Sequence, residues 1–266
     1  MSLSHVARCF ITHGGEPHFN MAFDEWLFEQ ALHDASFVAM RMYSWRPGGI
    51  TIGLNQRAET ALNWQAVGET AVIRRVTGGR ALYHDPSELT YAVILGADVT
   101  RKLSAGGSTQ KVSAVLADGL ADFLARQGIG AEFVRRSSPL DRRPVAGQTA
   151  PCFASSARYE LVSDGRKVVA SAQRHIGETI LQHGSIKTHG VVPHSALPGI
   201  GDTSGSLFDG QSIDYEHVKS AARDFFRAIG ETIGVEWQVS EERVESAVSL
   251  RQSQIMSAPL DRREFH

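Results

Sequence analysis

Cys152 and Lys167 are the residues of this chain whose types and placement point most directly to covalent chemistry. Residues 159–162 and 167–170 read as two strands. Asp164-Gly165 between them signals a hairpin, because a tight turn needs positive φ and glycine adopts it without steric cost. Such a hairpin holds Lys167 at the start of its second strand, and the segment before Tyr159 can fold back towards it. An ammonium beside a thiol stabilises the thiolate and lowers a cysteine pKa from its free value of about 8.5. A thiolate in that setting is a nucleophile fit for acyl transfer. Without that proximity, the pair reduces to a buried structural cysteine and a surface lysine.

A second candidate is the run Arg74-Arg75-Val76-Thr77-Gly78-Gly79-Arg80-Ala81, which directly follows an expected strand at 71–76. Two glycines let the backbone approach a ligand closely, and their N–H groups can meet carbonyl or phosphate oxygens. The flanking arginines would add charge-assisted donors. The spacing is neither a Walker loop nor a dinucleotide fingerprint, so nucleotide binding by those routes is not expected. A plain turn is the simpler explanation of the glycine pair taken alone.

The elements that must position these groups follow from periodicity and breakers. Asn20 is expected to cap a helix over 21–32, with Met21, Phe23, Trp26, Leu27 and Ala31 inward and Asp24 and Glu25 in its first turn. Strands are expected at 38–44, 50–54, 82–84 and 89–95, with a helical stretch after Ala58. Ser108 should cap a second helix carrying Val112, Leu116, Leu120 and Phe123 on one face and ending near Gly128, before a strand at 131–135. Residues 137–158 form a long loop holding Cys152, and long loops in compact domains are often functional. A strand at 179–186 precedes a loop over 193–212. A helix over 215–233 follows, and a shorter one over 241–250. Strands in the middle flanked by helices imply a mixed sheet packed on helices.

Composition narrows the classes. A chain of 266 residues with 42% hydrophobic content can bury a sizeable core, and its formal charge of −2 gives no bulk attraction to nucleic acid or to anionic membrane. The two cysteines, Cys9 and Cys152, fit a reducing cytoplasm better than a disulfide scaffold. No targeting signal or membrane-spanning apolar run is read, and no metal-ligand spacing stands out.

Taken in order, Asn20 to Asp24, Arg74-Arg75 with Thr77-Gly78-Gly79, Tyr83-His84-Asp85, Gly165-Arg166-Lys167, Ser171-Ala172-Gln173 and Leu181-Gln182-His183-Gly184 resemble the lipoate–protein ligase and octanoyltransferase superfamily. The resemblance implies an α+β fold: a mixed, largely antiparallel sheet flanked by helices, like the biotin/lipoate protein ligase catalytic domain. It also implies a single acyltransferase domain over 1–266, with 213–266 as a C-terminal helical extension. Gly78-Gly79-Arg80-Ala81, where ligases usually show three glycines, resembles the LipM type of octanoyltransferase. So does the segment from Pro151-Cys152-Phe153 through Tyr159-Glu160-Leu161 to Lys167. In that type the cysteine carries the acyl group and the lysine sits beside it. The other octanoyltransferase type, LipB, has its cysteine downstream of the lysine, and no cysteine follows Lys167. The family more often shows glycine where Ala170 stands, so one extra methyl bears on the fit of the acyl pocket.

The activity this implies is transfer of an octanoyl group from an octanoyl-acyl carrier protein to a lysine of the glycine cleavage H protein, or of lipoyl domains of 2-oxoacid dehydrogenases. The intermediate would be a thioester on Cys152, assisted by Lys167, with no cofactor. The acyl-carbonyl end of the pocket is expected from Arg75, Gly78, Gly79 and Ala81. Tyr43 and Trp45 are candidates for the acyl tunnel, and Arg135, Arg136, Arg142 and Arg143 for contact with acidic carriers. The acceptor amine has a pKa near 10.4, so about 0.1% is neutral near pH 7.4 and a base is required. Lys167, His84 and His183 are the candidates. The competing readings are an ATP- and Mg-dependent lipoate–protein ligase acting through an acyl-adenylate, with Cys152 a bystander, and a non-catalytic module that binds acyl groups or lipoyl domains.

Overall fold

The computed structural model describes residues 6–105, 109–134, 160–163, 166–187, 194–197, 213–240, 244–258 and 260. Its first half comprises β1 (Val6–Gly15), α1 (Pro17–His33), β2 (Val38–Trp45), β3 (Gly49–Ile52), α2 (Ala58–Ala61), a 3-10 turn (Trp64–Ala66), β4 (Ala71–Arg74), β5 (Leu82–His84) and β6 (Leu89–Leu95). There follow α3 (Ala97–Ser104), α4 (Thr109–Arg126), β7 (Glu132–Val134), β8 (Glu160–Ser163), β9 (Arg166–Ile176), β10 (Thr179–Ile186), α5 (Tyr215–Ile233), β11 (Glu236–Val239) and α6 (Glu245–Ser257).

Eight strands form one sheet in the order β11-β1-β2-β6-β10-β9-β8-β7, and β4-β3-β5 form a small second sheet. In the large sheet β1 runs parallel to both β11 and β2, while the remaining pairs are antiparallel. This is the mixed, largely antiparallel α+β architecture expected from the sequence. All seven residues of β6 are buried, as its continuous run Leu-Thr-Tyr-Ala-Val-Ile-Leu requires of a strand covered on both faces.

Side-chain alternation divides the large sheet into two faces. On one, Met40, Met42, Tyr91, Val93 and Ile180 pack under α4 and α5, which contribute Val112, Leu116, Phe123, Phe225 and Ile229. On the other, Ala39, Ala92, Ile94 and Leu181 meet Ala22, Phe23, Leu27 and Phe28 of α1. Fully burying one such Leu or Phe contributes about 1.5–3 kcal/mol. Register then sets two adjacent rows across β2, β6, β10 and β9 on the α1 side. One is Arg41, Ala92, His183 and Ala172, and the next is Tyr43, Thr90, Ser185 and Ala170. Polar residues at the middle of a sheet face make these rows the natural place for a site.

Several elements differ from the sequence reading. α1 starts at Pro17, not Met21, and its cap is Glu16, whose carboxylate accepts the Phe19 N–H at 3.0 Å. Proline is favoured at the first helical position, because its missing N–H would be unsatisfied there anyway. Asn20 therefore lies inside the helix, fully buried, with its amide donating to the Gly15 and Ser44 carbonyls. The strands β1 and β11 and the helix α3 were not expected, β9 runs on to Ile176, and the last helix spans Glu245–Ser257. The segment read as a C-terminal helical extension contributes Phe225, Phe226 and Ile229 of α5 to the main core, and β11 to the sheet edge. Ser108, Asp164, Gly165 and the loop with Cys152 lie outside the described residues.

Candidate active site

The second row, with His183 and Ala172 of the first, forms the floor of a narrow slot. Met21 of α1, Thr51 of β3, Leu82 and His84 of β5, and Arg75 close it from above, and Ala170, Ala172, His183 and Ser185 line it from the large sheet. A wider cleft of about 660 Å³ lies between α1, α6 and β4, lined by Glu25, Glu29 and Arg251 among others. Its lining includes Arg75 but neither His84 nor His183. The slot, which gathers all three, is the better candidate.

Two hydrogen-bonded chains build the slot wall. In the first, the buried Asp24 carboxylate accepts from Arg41 Nη1 at 2.9 Å, from the Tyr43 hydroxyl at 2.7 Å and from His183 Nδ1 at 2.9 Å. Burial alone would raise the Asp24 carboxyl, but the His183 hydrogen bond and the Arg41 charge outweigh it and hold it below the usual range. An ionised oxygen can only accept, so Nδ1 of His183 carries the shared proton. The other ring nitrogen, Nε2, lies 2.6 Å from the Thr77 hydroxyl, which ties β10 to the Gly-Gly loop.

In the second chain, His84 is clamped between Glu88 Oε1 at 2.6 Å and Thr51 Oγ1 at 2.8 Å, with Trp45 stacked on its ring at 4.1 Å. Burial lowers the His84 pKa in spite of Glu88, which favours the neutral imidazole. Glu88 also pairs with the buried Lys187 ammonium and accepts from the Thr90 hydroxyl, which itself accepts from the Trp45 indole. Burial would raise the Glu88 carboxyl, yet Lys187 and His84 bring it down to about 2.

Arg75 braces the loop. Its Nε and Nη2 donate to the Gly78 carbonyl at 3.2 and 2.7 Å, Nη2 also reaches the Arg80 carbonyl at 2.9 Å, and Nη1 bonds Thr51 O and Oγ1 at 3.2 and 3.1 Å. Gly79 has φ of +94°, and a Cβ there would fall 2.7 Å from Arg75 Nη2. Only glycine fits that position. Gly53 is required as well, since a Cβ on it would approach the Gly79 carbonyl to 2.0 Å. Arg74 bonds the Gly53, Leu54 and Gln56 carbonyls rather than facing the slot.

Of the residues singled out from the sequence, Arg75, His84 and His183 come together around the slot. Gly78 contributes a carbonyl to Arg75, and a Cβ at Gly78 would meet nothing within 4 Å. Ala81 packs instead into the core of the small sheet beside Ile50 and Ile52. Lys167 is buried on β9, three residues before Ala170. Tyr43 lines the slot and Trp45 backs His84. Cys152, Arg135, Arg136, Arg142 and Arg143 lie outside the described residues. Cys9 is buried in the core and its thiol is pushed up by that burial, so it is no nucleophile. The sequence reading missed Asp24, Thr51, Thr90 and Ser185 as site residues. Among the described residues no cluster of three or more His, Cys, Asp or Glu is placed to hold a metal ion, and no helix is long and apolar enough to cross a membrane.

Comparison with known proteins identifies the lineage of the chain. Residues 16–195 match the lipoyl protein ligase A/B catalytic domain. The octanoyltransferase LipM of Kyrpidia tusciae is 31% identical over 256 residues, 96% of this chain and 88% of that one. LipM of Brevibacillus brevis is 36% identical over 184 residues, 67% of this chain and 64% of that relative's length. Among solved structures, lipoate-protein ligase A bound with ATP superposes with a TM-score of 0.68 at 16% identity, covering 95% of both chains. A bi-partite lipoate protein ligase from Thermoplasma acidophilum, solved in a study with its E2 lipoyl domain, gives 0.64 at 15% identity, over 95% of this chain and 93% of that one. At such identities the structures speak to the fold, while the matched domain and the curated relatives give the lineage. The chain belongs to the lipoyl protein ligase A/B catalytic-domain family, in its LipM-type octanoyltransferase branch.

Proposed function

We propose that this octanoyltransferase works through a thioester on Cys152, taking octanoyl from a phosphopantetheine-bound acyl carrier protein and passing it to a lysine of a lipoyl-carrier protein. The observation that carries this reading is the placement of Lys167, buried on the strand whose Ala170 and Ala172 line the slot. An ammonium there favours the thiolate of a cysteine brought alongside. The Cys152 thiolate attacks the donor carbonyl and the carrier thiolate leaves. The acceptor ε-amine then attacks the acyl-enzyme, the Cys152 thiolate leaves, and the amine proton passes to a base. Thioester to amide runs downhill, so the reaction needs neither ATP nor a metal. The slot as it stands has room for only about 30 Å³, so it has to widen to take the octanoyl tail, each buried methylene of which contributes about 0.8 kcal/mol. The acceptors are the glycine cleavage H protein and lipoyl domains, the second class supported by the lipoyl-domain partner of the T. acidophilum ligase. The enzyme acts in the cytoplasm, where Cys152 stays reduced.

The test is the intact mass of the protein after mixing with octanoyl-acyl carrier protein in the absence of ATP. An octanoyl adduct removed by neutral hydroxylamine and absent in Cys152→Ala is the expected result. No adduct, with acylation of a lipoyl domain only when free acid and ATP-Mg are supplied, would move the protein to the ligase reading.

A further inference from the structure

Every polar side chain of the slot wall described above is already engaged. Both ring nitrogens of His183 and of His84 are bonded, as are the Tyr43, Thr51 and Thr90 hydroxyls and the Arg75 guanidinium. Ser171, which also lines the slot, bonds the Tyr91 hydroxyl at 2.7 Å. Ser185 is the exception: it is 1% exposed, it lines the slot, and its Oγ has no hydrogen-bond partner among the described residues. Leaving a buried hydroxyl unpaired is costly, so an isolated one in an otherwise saturated wall points to a ligand. Cross-strand register puts Ser185 opposite Ala170, on the same strand as Lys167.

We infer that the Ser185 hydroxyl donates to the carbonyl oxygen of the bound acyl group and to the oxyanion it becomes. The chemistry of the ligand narrows the choice, since an octanoyl thioester has a single good hydrogen-bond acceptor, its carbonyl oxygen. When a thiolate adds to the carbonyl carbon, the C=O π pair moves onto oxygen. Ser185 stabilises that charge while keeping its own proton. Collapse restores the carbonyl and expels the leaving thiolate. The same donor serves the second half-reaction, when the acceptor amine adds. A donor held by the sheet needs no reorganisation as charge develops, which is how such groups act in catalysis.

This rests on the octanoyl-transfer reading, and the experiment separates the two. Single-turnover acylation by octanoyl-acyl carrier protein and thermal unfolding are measured for the full chain and for Ser185→Ala. We expect acylation to slow on the order of 10²-fold, as for loss of one oxyanion donor. The Tm should stay level or rise, because an unpaired buried hydroxyl has been removed. Unchanged acylation, or a fall in Tm together with the rate, overturns the inference. Should the wild type form no adduct, the thioester reading fails, and Ser185 is judged by binding alone. The probes are the ketone analogue of octanoyl-pantetheine and S-octyl-pantetheine, which keeps the chain and lacks the carbonyl. A wild-type preference for the ketone of roughly tenfold, lost in Ser185→Ala, supports the inference. Equal binding of the two probes by the wild type overturns it.

Discussion

Arg75 offers the sharpest test of how the Gly-Gly loop is held. Its donors reach four acceptors spread over two segments: Thr51 O and Oγ1 on β3, and the Gly78 and Arg80 carbonyls of the loop. Arg75→Lys keeps the charge but replaces the planar fork with a single nitrogen. One ammonium cannot reach both β3 and Arg80 O in place of Nη1 and Nη2, so at least two buried acceptors lose their partner. Hydrogen bonds from a charged donor contribute about 1.5–3 kcal/mol each, and the ammonium recovers part of that, which leaves a loss of about 2–4 kcal/mol. For a domain of this size the Tm should fall by roughly 5–10 °C. Hydrogen exchange should rise at residues 78–81 before it rises in β6. The apparent KM for the octanoyl donor should increase, because the loop runs beside the slot lining: a Cβ on Gly79 would lie 4.0 Å from that of Ala172. Unchanged Tm, exchange and KM would refute the bracing argument and return Arg75 to the role of a simple cationic ligand donor.

Two further outcomes follow from the buried networks. Asp24→Asn leaves the fully buried Arg41 without its carboxylate and should cost about 3–5 kcal/mol. A urea melt should show a lower midpoint at an unchanged m-value, and an unmoved midpoint would remove Asp24 from the stability argument. Glu88 falls from an ordinary glutamate value of 4.5 to about 2, so its stabilisation is fully present above the unfolded value and is lost as pH drops through the folded one. The Tm gap between wild type and Glu88→Gln should therefore be constant near neutrality and close between pH 4.5 and 2. A gap independent of pH across that window would count against the Lys187–Glu88–His84 network.

How much of this was legible beforehand depends on the kind of signal. β6, β10 and α5 have the bounds expected from the sequence, because an unbroken apolar run or a helical stripe of Val218, Ala222, Phe225 and Ile229 has one good burial. β11 was missed because Glu-Trp-Gln-Val at a sheet edge is largely exposed and has no such pattern. α3 is short and charged, and it is defined by its packing on α4 and β10, with Val99 buried in the main core. Asp24 was read as complementing the start of a helix, a reasonable role for an acid there. Starting the helix at Pro17 moves Asp24 past the first turn and faces it inward, onto Arg41 and His183. The Gly-Gly loop, His84 and His183 stood out by residue type. Thr51, Thr90 and Ser185 did not, because a hydroxyl residue in a strand looks alike on either face. Only pairing across three strands brings Thr90, Ser185 and Ala170 into one row.

The proposed seating of the octanoyl tail raises the question of how a slot with this many polar residues would accept a hydrocarbon. The cost of putting methylenes beside polar groups is the cost of stripping water from groups that still need it. His183, His84, Tyr43, Thr51 and Thr90 are already satisfied within the protein, so a chain sliding past them displaces little that must be replaced. Their mutual bonds also fix their rotamers before substrate arrives, which leaves less entropy to lose on binding. The apolar faces of Met21, Leu82, Ala170 and Ala172 then supply the contact. Leu82 packs directly on Ala170, so the Ala170 methyl narrows the slot beside Ser185. On this argument saturation makes the wall behave as apolar surface along its length. Among the described residues of the wall, the Ser185 hydroxyl alone is left unsaturated, which is where the inferred carbonyl contact would fall.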